Sequence, residues 1–138
     1  MRVGYGIAQP DFIAAFNRIR NHFGMGRVAQ AAALAALHDQ DYLAQTVAQI
    51  ATSRASIAGI VAEHGLTPLP SATNFVTVDC GRDGDFARAL VRELGARGIF
   101  VRMPFVAPQD RCIRVSCGPE AEMMAFAAAL PEALNAAG

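Results

Sequence analysis

Residues 112–118, Cys112-Ile113-Arg114-Val115-Ser116-Cys117-Gly118, decide how the chain is read. Ile113 and Val115 alternate with Arg114 and Ser116, so the run predicts a strand over 112–117 with one apolar face. Gly118-Pro119-Glu120 then opens a helix running to Asn135. Arg114 is the only charge in the six-residue run 112–117. A guanidinium fixed on a short strand is a rigid, planar, two-pronged donor, suited to a carboxylate or phosphate. An arginine on the solvent face of a half-exposed strand gives the same pattern, and the pattern alone leaves both readings open.

Upstream, the texture is that of a small α/β unit. Residues 74–80, NFVTVDC, alternate as a strand, and Gly81-Arg82-Asp83-Gly84 is a turn. Asp85 reads as the cap of a helix with Phe86, Leu90 and Leu94 inward, stopped by Gly95 and Gly98. Ile99-Phe100-Val101-Arg102 is a further strand, followed by a proline-containing loop from Met103 to Asp110. Residues 72–138 therefore form a β-α-β-β-α unit, with Thr67-Pro68-Leu69-Pro70-Ser71 as a rigid connector in front.

Before the connector the chain reads as mostly helical. Met1-Arg2-Val3-Gly4-Tyr5-Gly6-Ile7-Ala8 predicts a buried strand over 2–8, and Pro10-Asp11 start a helix over 10–22 with Phe12, Ile13, Phe16 and Ile19 at helical spacing. Residues 27–38, RVAQAAALAALH, are apolar on nearly every side, the pattern of a helix buried all round. Asp39 caps a long helix through His64, with Leu43, Val47, Ile50, Ile57 and Val61 as its inner stripe and Gly65 as its stop. A chain that opens on a core strand reads as the back part of something larger.

Composition narrows the function classes. Net charge is zero, with 12 Arg and Lys together balancing 12 acidic residues, so no basic stripe argues for nucleic acid. All 12 basic residues are arginine. With no lysine, no side chain of this chain can form a Schiff base. Charged residues make up 17% of the chain, against the usual 25% or so. That shortage fits a chain that buries part of its outside against another segment or subunit. No charge-free run of about 18 apolar residues predicts a membrane span, and no leader with a cleavage site is read at the start. Cys80, Cys112 and Cys117 lack metal-ligand spacing and read as reduced thiols in a cytoplasmic core. His22, His38 and His64 sit near helix C-termini, where positive charge is welcome, and carry no metal spacing. Gly4 and Gly6 lack the third glycine of a dinucleotide fingerprint.

Three segments together carry a family likeness. Met1-Arg2-Val3-Gly4-Tyr5-Gly6, Ser71-Ala72-Thr73-Asn74-Phe75-Val76 and Cys112-Ile113-Arg114-Val115-Ser116-Cys117-Gly118 occur in the order found in fold type I pyridoxal-phosphate aminotransferases. The chain resembles the C-terminal part of these enzymes end to end, most of all the histidinol-phosphate aminotransferase branch. The resemblance implies an α/β fold: the last strand and helices of the large cofactor-binding domain over 1–40, a connecting helix over 41–66, and a small domain over 67–138 with a three-stranded sheet and flanking helices. It implies pyridoxal 5'-phosphate as cofactor, with Arg2 anchoring its phosphate and Arg114 holding the substrate carboxylate. It implies an amino acid and a 2-oxo acid as substrates, of histidinol-phosphate or aromatic type, and a cytoplasmic homodimer with no nucleic-acid or membrane partner. The family's Schiff-base lysine would fall roughly eight positions before Arg2, upstream of Met1. The expectation is thus a truncated aminotransferase, inactive by itself, with no catalytic residue and no metal ligand of its own. A same-fold amino-acid-phosphate decarboxylase and a small non-catalytic anion-binding α/β module are the alternatives.

Overall fold

A computed structural model describes residues 3–21 and 23–138. The chain divides into two compact units, Met1–Gln45 and Thr46–Gly138. The first unit holds α1 (Pro10–Ile19), α2 (Arg27–His38) and the start of α3 (Gln40–Glu63). The second holds the rest of α3, then β1 (Thr67–Pro68), β2 (Phe75–Asp79), α4 (Gly84–Ala96), β3 (Cys112–Ser116) and α5 (Glu120–Ala137), with a 3-10 turn at Gln109–Arg111.

Within the first unit the helices form where their spacing predicts, but two expectations change. Arg2 and the start of the expected strand 2–8 lie outside the described residues. Residues 3–9 form no strand, and Tyr5 and Ile7 are exposed rather than buried. A strand needs a neighbour for its N–H and C=O groups, and no described residue pairs with this segment. Helix α1 stops at Ile19, short of residue 22, where Arg20 turns extended and the Asn21 side chain accepts from the Phe23 N–H at 2.9 Å. Helix α2 has the expected bounds, yet none of its residues is buried. Its apolar pattern is real, but the layer that would cover it is not among the described residues.

The Asp39 side chain accepts from the Tyr42 N–H at 3.1 Å, as expected of the α3 cap. Only the last part of the expected α3 stripe is core. Ile57 and Val61 are fully buried with Ser53 beside them, whereas Leu43 and Val47 are exposed. Gly65 ends the helix at φ +76°, a left-handed turn that lets the Leu66 N–H reach back to the Val61 carbonyl at 3.1 Å.

In the second unit β1, β2 and β3 form one antiparallel sheet in that order. Val76 and Val78 of β2 and Ile113 and Val115 of β3 point into a core shared with Leu90 and Leu94 of α4 and Phe126 and Leu130 of α5. The α4 cap is Asp83, not Asp85: its carboxylate accepts from the Phe86 N–H at 3.0 Å. Helix α4 then runs past Gly95 to Ala96, and Gly98 turns at φ +79°. The connector supplies the third strand of the sheet, with Pro68 opposite Val78 at the edge, where a missing N–H is tolerated. The expected strand 99–102 shrinks to a single bridge between Arg102 and Arg114. The Ile99 N–H is taken by the Leu94 carbonyl at 2.9 Å, and Pro104 has no N–H to extend a ladder.

Candidate functional site

The face of the sheet away from the core carries Phe75 and Thr77 of β2 and Arg114 and Ser116 of β3, all half-buried or exposed. Arg114 sits opposite Thr77 on one side and bridges Arg102 on the other. Its backbone is thus held from both edges while its side chain stays exposed. The guanidinium lies 4.9 Å from the centroid of the Phe75 ring, a cation–π contact that fixes its direction.

The Asn74 segment meets the end of the Arg114 strand. The Cys117 N–H donates to the Asn74 carbonyl at 2.9 Å, and the Gly118 N–H to the Ser53 hydroxyl at 3.2 Å. The turn before β2 is held by its own hydroxyls, with Ser71 Oγ donating to the Phe75 carbonyl at 2.6 Å and Arg54 donating to the Thr73 carbonyl at 2.8 Å. Two of the three sequence segments that carry the likeness therefore converge on one place.

Arg114 opens into a cavity of about 750 Å³ that Arg102, Thr77, Phe100, Met103 and Phe105 also line. Two further arginines of the lining, on α4, already have acidic partners. Arg88 contacts Asp85 at 2.6 Å and Asp110 at 3.7 Å, and Arg92 lies 3.5 Å from Glu93. Among the described residues no carboxylate lies within ion-pairing distance of Arg102 or Arg114. Both arginines line the one cavity without a carboxylate partner among the described residues. The arrangement is therefore suited to binding a carboxylate or phosphate, each of which accepts two parallel N–H bonds.

Arg102 was missed by sequence reasoning. The signal was present: like Arg114, it is the lone charge of a short apolar run, Ile99-Phe100-Val101-Arg102. Arg2, the expected phosphate anchor, lies outside the described residues, as does His22. His38 ends α2 and His64 follows α3, both exposed and far in sequence from the arginine pair. Among the described residues no group of His, Cys, Asp or Glu side chains is placed to hold a metal. Cys80 and Cys112 are buried, and burial pushes the Cys80 thiol up to about 11, the state of an inert core thiol.

Residues 1–130 match the family model of aminotransferase class I and II. The chain is 40% identical over 134 residues to histidinol-phosphate aminotransferase 2 of Ralstonia nicotianae, covering 97% of this chain and 36% of the relative. It is 38% identical over 133 residues to histidinol-phosphate aminotransferase of Geotalea daltonii, covering 96% and 38%. Its backbone is similar, with a TM-score of 0.89 and 57% identity, to a crystal structure of histidinol-phosphate aminotransferase from Sinorhizobium meliloti in complex with pyridoxal-5'-phosphate, covering 94% of this chain and 35% of that one. The chain spans a little over a third of the length of the curated relatives it matches. With the family match running from the first residue to α5, the chain belongs to the class I and II aminotransferases.

Proposed function

We propose that this chain is the substrate-anion-binding part of a pyridoxal-phosphate-dependent aminotransferase that moves an amino group between histidinol phosphate, or a similar amino compound, and a 2-oxo acid. The observation that carries the reading is the exposed, carboxylate-free pair Arg102 and Arg114, held by reciprocal backbone bonds on one sheet edge. Histidinol phosphate presents a phosphate and a 2-oxo acid presents a carboxylate. A planar guanidinium accepts both shapes, so one arginine pair serves the two substrates in turn. Arg114, stacked on Phe75 and fixed between Thr77 and Arg102, holds the anion and thereby orients the substrate carbon next to it. Such a charged hydrogen bond contributes about 1.5–3 kcal/mol.

The described residues do not by themselves make a cofactor site. The chain has no lysine, and Arg2 lies outside the description. Pyridoxal phosphate, which the Sinorhizobium relative binds, supplies the electron sink for bond changes at the amino-bearing carbon. In this reading Arg2 anchors its phosphate, residues 1–40 end the cofactor domain, 41–66 connect, and 67–138 form the small domain. The complete enzyme is a cytoplasmic homodimer. No described helix is long and apolar enough to cross a membrane.

A chimera tests the reading. Residues 1–138 replace the matching third of the Ralstonia enzyme, and transamination of histidinol phosphate is assayed. The expected result is an active chimera in which Arg114→Gln lowers kcat/KM about a hundredfold. An active chimera indifferent to Arg114→Gln would overturn the role of the arginine. Release of carbon dioxide from an amino-acid phosphate offered to the same chimera, in place of amino transfer, would favour the decarboxylase alternative.

A further inference from the structure

The arginine pair opens beside an apolar surface that its charge alone does not explain. Phe100, Phe105 and Val106 are 81%, 89% and 72% exposed, within a segment where Val101 is buried. Phe100 already faces a cation, with the Arg102 guanidinium 5.6 Å from its ring centroid. The described structure shows no such contact for Phe105, although it lines the same cavity as Arg102 and Arg114. An aromatic ring left in water beside two unpaired cations has two unmet demands: removal of apolar surface from water and delivery of negative charge. A single small molecule that joins an anion to an apolar body meets both.

We propose that Phe105 is a specificity-determining residue: it forms the wall against which the apolar body of a substrate lies while Arg114 and Arg102 hold its anionic group. The inference rests on the anion-binding reading of Arg114 and adds a selection that reading does not contain. Two anions of equal charge are told apart by what they carry. A bare or second-charge-bearing anion finds the arginines but gains nothing from the ring. An anion with a flat apolar body covers Phe105 as well.

The test uses the whole 138-residue chain, 15N-labelled, and two probes that differ only in the apolar body, acetate and phenylacetate. Chemical-shift changes at the amides of Arg102, Met103, Phe105, Val106 and Arg114 report binding. The expected result is about tenfold tighter binding of phenylacetate, the scale of one aromatic contact on top of the shared ion pair. Phe105→Ala collapses that ratio to within about threefold, and Phe105→Tyr restores it. Because Phe105 is exposed, its truncation leaves the core intact, and the unchanged spectrum of the core amides verifies this. Equal binding of the two probes, or a ratio indifferent to Phe105→Ala, overturns the wall and leaves the arginine reading standing. Binding of neither probe, or binding that survives Arg114→Gln, overturns both.

Discussion

Arg102 and Arg114 face each other across one antiparallel bridge, the Arg114 N–H donating to the Arg102 carbonyl at 2.6 Å and the Arg102 N–H to the Arg114 carbonyl at 3.2 Å. The backbone thus sets side by side, at the edge of the sheet, two arginines with no carboxylate partner among the described residues. An anion that binds the pair only in the folded state stabilises the fold by mass action.

The Arg114→Gln variant should therefore separate binding from folding. The side chain is exposed and makes no ion pair among the described residues, so its removal costs the contact with the Phe75 ring and little else. Urea unfolding should show a stability lower than the parent's by no more than about 1 kcal/mol. Stabilisation of the parent by millimolar phosphate should vanish in the variant. A loss of several kcal/mol would mean that the guanidinium is structural.

The core of the second unit should behave in the opposite way. Leu90 and Ile113 are fully buried and lie in one cluster with Phe126 and Leu130. Leu90→Ala or Ile113→Ala should cost about 2–5 kcal/mol in urea unfolding. The exposed cap Asp83 should cost less, about 1 kcal/mol on Asp83→Ala, since one N–H bond to Phe86 is lost.

Most of the second unit was legible in the chain because its signals are local. Alternation in CIRVSC put Ile113 and Val115 inside and Arg114 outside, and the structure agrees. Helix α4 was found from Phe86, Leu90 and Leu94, though Asp83 and Asp85 both look like caps and only geometry separates them. The 99–102 strand was over-read, because periodicity cannot show that the Ile99 N–H is used by the helix end before it. The stripe on α3 was read as continuous because a sequence does not show which layers will lie over a helix. Its Leu43 and Val47 are exposed and its Ile57 and Val61 are core. Of the candidate site, Arg114 stood out by its isolation, though that pattern also fits a solvent-facing strand residue; Arg102, equally the lone charge of its run, was singled out only by the bridge that sets it beside Arg114.

Asp79 should give the second unit an acid-sensitive stability. A hydrogen bond from the Gly81 N–H, together with the Arg111 guanidinium at 2.8 Å, holds its carboxyl below the ordinary 3.8. Lowered in the fold, the group contributes stability above its ordinary value, where both states are ionised. That contribution is lost as pH falls through the folded value. Urea midpoints measured between pH 6 and 2 should fall toward acid, and Asp79→Asn should flatten part of that slope. An unchanged slope in the variant would assign the acid sensitivity elsewhere.

The first unit supplies the last expectation. On α1, Phe12, Phe16 and Ile19 are 65%, 57% and 82% exposed, and Phe23 beyond it is 95% exposed. Phe12, Phe16 and Ile19 recur at helical spacing, so on α1 they form one apolar face rather than scattered exceptions. Exposed faces of this kind associate or bind amphiphilic dyes. The chain should therefore enhance anilinonaphthalene sulfonate fluorescence and sediment with a concentration-dependent mass. Phe16→Ser with Ile19→Ser should reduce both signals, while the urea midpoint followed by β2 and β3 amides stays in place, because neither residue belongs to the core of the second unit. A dye-negative, monodisperse parent would show that this face is covered within the chain.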